Sequence, residues 1–421
     1  MKEKQVDRTY GLMITVAMIV GVVIGSGIYF KADDILAFAG GNVWLGMLVI
    51  ALGSFAIVFG SLAISELAMR HDENGGIFSY YARYLNPGLA ATLGLFTAYV
   101  YMPTLIAVVA WVAANFTLGS DSSLEAQTLL ATVYLILLTI MNIYSKQLAG
   151  IFQSLSTIVK VIPLLAVALV GIFWSGNGPA IPEGLAVVEP RDVGFGWLAA
   201  LVPLYFAYDG WTAVANIAPE VKNPKKNLPL AFTFGPLVIL VLYLSFFYGL
   251  TQILGATYIM SVGNDAVLDA ASFIYGPFIS KLLLVVIVIS VLGVSNGILL
   301  AIMRLPQAFA ERGWIKSPKM AKINLKYQLS LPASYSVSVV TILWLFVHYF
   351  VVKFQLLPSS DISEITIVFN NVTYVLIYWV VLRLYLKGEI KNPLTGLISP
   401  ILASLAAIAL LVGSIITNLV M

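Results

Sequence analysis

Two short glycine-containing stretches lie inside long apolar segments, and their backbone is suited to bind a charged ligand. The first is GSG at residues 25–27, within IVGVVIGSGIYFKADDIL, and the second is YDG at residues 208–210. Glycine is a poor residue for a helix interior. A helix that opens inside a membrane also leaves peptide groups that no water can satisfy. Each stretch is therefore predicted to be a helix break whose bare N–H and C=O groups bind a ligand.

Breaks of this kind favour a ligand that carries both charges. The helix after a break begins with free N–H groups, which attract an anion, and the helix before it ends with free carbonyls, which attract a cation. The expected groups are the N–H groups of Ser26, Gly27 and Ile28 and the carbonyls around Tyr205, Phe206 and Tyr208. A zwitterion about 3 Å long would satisfy both sets, and an α-amino acid is such a molecule.

Two charged residues stand deep in apolar segments. Lys160 lies about 15 Å into the fifth segment, at about 1.5 Å per residue, whereas a lysine stem reaches roughly 6 Å. A charge there costs about 2.5–3.5 kcal/mol unless it is paired. Lys160 is therefore predicted either to place an ammonium where a carrier would hold a cation, or to bond helix carbonyls for structure alone. Asp209 is predicted to pair, to cap the half-helix 211–220 or to face a vestibule.

Four other polar residues have simpler predicted roles. Tyr243 and Asn296 lie in apolar surroundings in the seventh and eighth segments, and each is predicted to line a site or to bond across helices. Glu66 and Arg70 are four residues apart at the end of the second segment. This spacing predicts an ion pair at a helix end.

The composition is that of a membrane protein. Of the 421 residues, 60% are hydrophobic and 10% are charged, whereas a soluble domain carries roughly 25% charged residues. The apolar residues form long blocks, which predicts helices rather than a barrel. The chain has no cysteine and only two histidines, so no disulfide, metal site or cofactor is expected. A net charge of +3 does not suggest a nucleic-acid partner.

Eleven blocks are long enough to cross a bilayer, at about 20 residues each. They fall near residues 11–37, 43–69, 88–116, 125–144, 150–174, 195–220, 228–252, 273–303, 333–351, 362–386 and 397–420. Most lysines and arginines lie on one side if the N-terminus is cytoplasmic, including the basic loop 304–332. The N-terminal residues show no cleavage site, so they are expected to be the start of the mature chain.

The two breaks lie at matching depths, in spans one and six, which run in opposite directions. Gly21 and Gly25 also form a helix-packing motif, so packing is an alternative for the first break alone. Matched breaks five spans apart instead indicate an inverted repeat with a transporter site between its halves. One transmembrane domain is predicted, with repeats at about 11–174 and 195–386 and an extra helix at about 397–420.

Four stretches together resemble the L-amino acid transporter family of the amino acid–polyamine–organocation superfamily. They are IGSGIY (24–29), SELAMRHDENGGIFSY (65–80), FAYDGWTAVANIAPEVKNPKKNLPLA (206–231) and SVLGVSNGILLAIMRLPQAFAERG (290–313). The resemblance implies an all-α polytopic membrane protein with the LeuT fold, a 5+5 inverted repeat and broken helices one and six. It is greatest to bacterial alanine/serine/threonine exchangers.

This resemblance implies sodium-independent exchange of small neutral L-amino acids by alternating access. The substrate-binding positions implied by the breaks and the family are Ile24, Gly25, Ser26, Gly27, Ile28, Tyr205, Phe206, Ala207 and Tyr208. The family's fifth-span lysine stands where sodium-coupled relatives hold an ion, and Lys160 matches it. The gating set also includes Tyr243, Asn296 and Asp209. A carrier rather than an enzyme is expected.

The implied setting is a bacterial plasma membrane, with the N-terminus cytoplasmic and the chain acting as a monomer. Without cysteine, no disulfide-linked heavy chain is expected. The alternative within this fold is a proton-coupled symporter in which Lys160 carries the proton. A channel needs a polar pore that no span shows, and an intramembrane enzyme lacks a histidine placed to activate a serine.

Overall fold

The computed structural model describes residues 10–25, 27–70, 76–119, 121–213, 221–357 and 361–419. Within these ranges the chain is helical, with two isolated bridges and no β-strand. Nine of the described helical stretches are long and apolar enough to cross a membrane, and two shorter apolar helices, Leu12–Val23 and Gly194–Ala207, belong to the segments expected to be broken. The prediction of an all-α polytopic membrane protein is confirmed.

The α-helices are numbered here in chain order. They are α1 (Leu12–Val23), α2 (Gly27–Phe38), α3 (Val43–Ala68), α4 (Gly76–Tyr84), α5 (Pro87–Phe96), α6 (Met102–Leu118), α7 (Leu124–Tyr144), α8 (Lys146–Val159), α9 (Val161–Gly171), α10 (Leu201–Ala207), α11 (Pro224–Leu254), α12 (Ala256–Val262), α13 (Ala266–Tyr275), α14 (Pro277–Ile302), α15 (Leu305–Glu311), α16 (Pro318–Ala321), α17 (Leu331–Lys353), α18 (Ile362–Leu386) and α19 (Ser399–Leu419). Short 3₁₀ turns occupy Gly194–Ala200, Trp211–Ala213 and Gly263–Asp265, and π-turns occupy Thr97–Tyr101 and Leu394–Ile398.

Two of the expected boundaries that differ in the structure are explained by proline. The seventh span begins at Pro224 rather than near residue 228, and the eighth begins at Pro277 rather than near residue 273. Proline is well placed in the first turn of a helix, because the N–H that it lacks would have no partner there. The residues before Pro277 form the separate helix α13, which ends at Gly276 with φ 82°.

The fifth span forms one helical stretch, Gln147–Gly171, with a local irregularity at Lys160. Helix α8 ends at Val159, α9 begins at Val161, and Lys160 is the residue between them. Pro163 has no N–H to donate to the carbonyl of Val159, which weakens the helical ladder at this point. Lys160 therefore lies at an irregular turn of the span, with φ −66° and ψ −20°.

The two broken segments lie in the protein core. Helix α2 packs on α10, and the long helix α11 packs on α1, α3 and α9. Ile24 and Ile28, beside the first break, are fully buried, as is Tyr243 of α11. Contact between the two interrupted spans is consistent with an inverted repeat. The repeat itself and the LeuT fold stay predictions.

Candidate substrate site at two helix breaks

The first span is interrupted at the predicted position. Helix α1 ends at Val23, and the Ile24 N–H still bonds the carbonyl of Val20 at 3.0 Å. Ile24 then turns to extended backbone, with ψ 109°. Helix α2 begins at Gly27, so its first N–H groups start at the break. Ser26 lies outside the described residues, and its predicted contact with a carboxylate stays a prediction.

The sixth span is interrupted as well. Helix α10 ends at Ala207, and Tyr208 and Asp209 make the last bonds, to the carbonyls of Leu204 and Phe206 at 3.0 and 3.3 Å. Gly210 then has φ 91°, a left-handed conformation that favours glycine. Of the expected half-helix 211–220, the structure describes only the turn 211–213.

The two breaks are in direct contact. A Cβ on Gly27 would lie 2.3 Å from the Cα of Ala207, and a Cβ on Gly210 would lie 2.8 Å from Cγ1 of Val22. Only glycine allows the two chains to approach this closely. The N–H end of α2 therefore lies beside the carbonyl end of α10. Of the predicted positions, Ile28 follows Gly27 in α2, and Tyr205 and Phe206 precede Ala207 in α10, whereas the nearest side chain to Gly25 is that of Val294.

Tyr243 reaches both breaks from α11. Its hydroxyl donates to the carbonyl of Ala207 at 2.8 Å and lies 3.5 Å from the carbonyl of Val23. These are the last residues of α10 and α1. The ring of Tyr208 lies 5.1 Å from the Tyr243 ring. Of the two roles predicted for Tyr243, the structure shows the bond across helices, and its role in lining a substrate site stays a prediction.

Lys160 joins the two halves of the first broken span. Its ammonium donates to the carbonyl of Gly21, in the last turn of α1, and the carbonyl of Lys160 accepts from the hydroxyl of Tyr29, in the first turn of α2. The residue is only 3% exposed. Its charge thus lies near the negative end of the α1 dipole, where a cation was expected from the sequence.

Asp209 is paired. Its Oδ1 accepts a hydrogen bond of 2.5 Å from the hydroxyl of Tyr101, which ends the π-turn before α6. Its Oδ2 has no hydrogen-bond partner among the described residues. Nearby, Asn370 of α18 donates to the hydroxyl of Tyr374 at 2.7 Å. The second break therefore borders a polar patch that it shares with α6 and α18.

Asn296 bonds across helices. Its side-chain carbonyl accepts from Asn142 at 2.8 Å, and its NH₂ donates to Gln153 at 2.9 Å. These partners lie on α7 and α8. Of the two roles predicted for Asn296, this contact between helices is the one seen in the structure, and its gating role stays a prediction.

Sequence reasoning missed Lys31. This lysine lies one turn into α2, is 4% exposed, and forms ion pairs with Asp34, Asp361 and Glu364 at 3.3, 3.1 and 2.8 Å. The signal was present in KADD, because a charge just after a break in a membrane span is a candidate functional residue in its own right. Its distant partners could not be read from the sequence.

A cavity of about 810 Å³ opens at the end of α3. Glu66 and Arg70 line it and lie 3.6 Å apart, so the ion pair predicted from their spacing is present. The hydroxyl of Thr395 donates to Glu66 at 2.5 Å. Within the described residues, no group of three or more histidine, aspartate or glutamate side chains could hold a metal ion.

Comparison with known proteins places the chain among transporters. A family model described as amino acid permease matches residues 10–421. The serine/threonine exchanger SteT of Bacillus subtilis (strain 168) is 27% identical over 432 residues, covering 99% of this chain and 93% of that protein. The large neutral amino acids transporter small subunit 2 of Homo sapiens is 31% identical over 363 residues, covering 80% of this chain and 64% of that protein. The Asc-type amino acid transporter 1 of Homo sapiens is 28% identical over 342 residues, covering 77% of this chain and 63% of that protein. The chain spans a little under two thirds of the length of these two human relatives.

Proposed function

Because the chain belongs to the amino acid permease family, we propose that it exchanges small neutral L-amino acids across the plasma membrane, without sodium and by alternating access. Its family is one of transporters, so the expectation that it is not an enzyme agrees with the comparison. It is a multi-pass membrane protein. The N-terminus is proposed to be cytoplasmic, on the side of the basic loop 304–332.

The contact between the two breaks is the observation that carries this proposal. At Gly27 and Ala207 the N–H end of one helix meets the carbonyl end of another. The N–H end suits a carboxylate and the carbonyl end suits an ammonium. An α-amino acid presents these two groups on one carbon, so it can engage both breaks at once. Binding to peptide groups leaves the substrate side chain free, which suits a carrier of several amino acids.

Lys160 supports transport without sodium. Its ammonium donates to the carbonyl of Gly21, in the last turn of α1. A charge fixed to the protein therefore stands at the carbonyl end of α1, where a sodium ion would otherwise be needed. The name of the bacterial relative SteT, an exchanger, supports exchange rather than net uptake. The apolar side chains packed at the breaks, Ile24, Ile28 and Phe206, favour a small substrate side chain.

Transport by the purified protein in liposomes tests the proposal. Labelled L-alanine or L-serine should enter vesicles loaded with an unlabelled neutral amino acid and should not accumulate in empty vesicles. Replacing sodium by choline should leave the exchange rate unchanged. Full uptake into empty vesicles would contradict exchange, and uptake into empty vesicles that depends on an inward proton gradient would identify a proton symporter instead.

A further inference from the structure

A buried lysine connects the half-helix after the first break with the start of α18. The ammonium of Lys31 lies 2.8 Å from Glu364 and 3.1 Å from Asp361, and its side chain is 5% exposed. Asp34, one turn further along α2, lies 3.3 Å from the same ammonium but has a side chain that is 44% exposed. One cation is therefore shared between two buried acids on α18 and one accessible acid on its own helix.

The two acids of α18 are held in place without the lysine. Asp361 is the N-cap residue: its Oδ1 accepts from the N–H groups of Ser363 and Glu364 at 2.8 and 3.1 Å. Glu364 Oε2 in turn accepts from the Asp361 N–H at 3.3 Å. This capping box stabilises both carboxylates at the positive end of the helix. The oxygens that face Lys31 are the remaining ones, Oδ2 and Oε1.

The lysine also has a partner on each side of the contact. Asp34 lies on α2 and would move with it, so Lys31 keeps an ion pair when α2 leaves α18. The ring of Phe206, in the last turn of α10, lies 5.4 Å from the ammonium, a cation–π distance. Lys31 thus contacts α2, α18 and the helix that ends at the second break.

We propose that Lys31 is a latch, holding α2 against α18 to close one side of the substrate site, and that it opens by giving up Glu364 and Asp361 while keeping Asp34. Helix α2 has the first break before it and a turn at Gly40 and Gly41 after it, with φ 66° and 76°, so it can move as a unit. The acids left behind on α18 keep their bonds to the helix N-terminus. The role of the latch in substrate access rests on the proposed transport function.

Labelling of a single cysteine tests the latch. The chain has no cysteine of its own, and Ala32, beside Lys31, is buried. In the Ala32→Cys variant, purified in detergent, reaction with a polar maleimide reports how often this buried part of α2 becomes accessible, as it must when the latch opens. Lys31→Met in this background should raise the labelling rate about tenfold, and Lys31→Arg, which keeps the charge, should leave it within about twofold.

An exposed lysine–glutamate pair on two other helices, α17 and α7, provides the control. Lys353 lies 3.1 Å from Glu125, with side chains 46% and 60% exposed. Lys353→Met removes a lysine–glutamate pair outside the latch and should leave the labelling of Cys at position 32 unchanged. An equal rise in this variant would show that loss of any such pair loosens the helices, and would overturn the specific role of Lys31.

Two further variants guard against misfolding, because Lys31→Met leaves two buried acids without their cation. Glu364→Gln weakens the latch by removing the charge of one acid on α18. The double variant Lys31→Met with Glu364→Gln leaves only Asp361 as a buried acid without its cation. Both should give a monodisperse protein with fast labelling. Slow labelling in both would overturn the latch. Labelling needs no transport, so loss of exchange in the parent would count against the proposed function and leave this result standing.

Discussion

The hydroxyl of Tyr243 donates a hydrogen bond of 2.8 Å to the carbonyl of Ala207, the last residue of the helix before the second break. The same hydroxyl lies 3.5 Å from the carbonyl of Val23, the last residue before the first break. The Tyr243 hydroxyl therefore lies close to both breaks. Movement of either break relative to α11 must change the contacts of this hydroxyl.

Replacing Tyr243 by phenylalanine should slow exchange about fivefold. The ring stays in place, but the Ala207 carbonyl loses a donor worth about 1 kcal/mol. Counterflow of labelled L-alanine measures the effect. Tyr248→Phe, on the same helix and without a contact to either break among the described residues, is the control. Equal rates for Tyr243→Phe and the parent would remove Tyr243 from the site.

Gly27→Ala should abolish most exchange. The added methyl would lie 2.3 Å from the Cα of Ala207, and the breaks must separate to accommodate it. A misplacement of about 1 Å in a reacting or binding geometry can cost about 100-fold. Gly150→Ala is the matched control, since nothing lies within 4 Å of its Cβ position. Normal exchange by Gly27→Ala would mean that close contact between the breaks is not required.

Lys160→Ala should damage transport far more than binding. The ammonium leaves the end of α1, so the two halves of the first span lose their link, but the peptide groups that bind substrate remain. We expect exchange to fall at least about tenfold while the Kd for L-alanine changes by less than about threefold. Lys281→Ala, at an exposed lysine, should leave both quantities unchanged. A parallel loss of binding would place Lys160 among the substrate contacts.

Asn296→Leu should lower the thermal unfolding midpoint, because the amides of Asn142 and Gln153 lose a buried partner. Leaving a buried polar group unpaired costs about 1–3 kcal/mol. Adding Asn142→Leu should restore part of the loss, since both members of that bond are then apolar. A double variant that is as unstable as the sum of the single variants would contradict a direct Asn142–Asn296 bond.

The sequence predicted features that depend on residues close together in the chain. Both breaks follow from local glycine chemistry, and the depth of Lys160 follows from its place in an apolar segment. Partners distant in the chain were not predicted: Lys31 and Asp361 are separated by 330 residues, and Tyr101 and Asp209 by 108. The irregular turn at Lys160 needed only Pro163, three residues away, and was not predicted because hydropathy alone shows one uniform span.

The central claim is that peptide groups at two touching breaks bind the two charged ends of one amino acid. The most direct test is competition with labelled L-alanine exchange by unlabelled L-alanine, its methyl ester and N-acetyl-L-alanine. We predict strong competition by L-alanine and at least about tenfold weaker competition by each blocked compound, because each loses one charged end. Competition by either blocked compound as strong as that of L-alanine would contradict the claim.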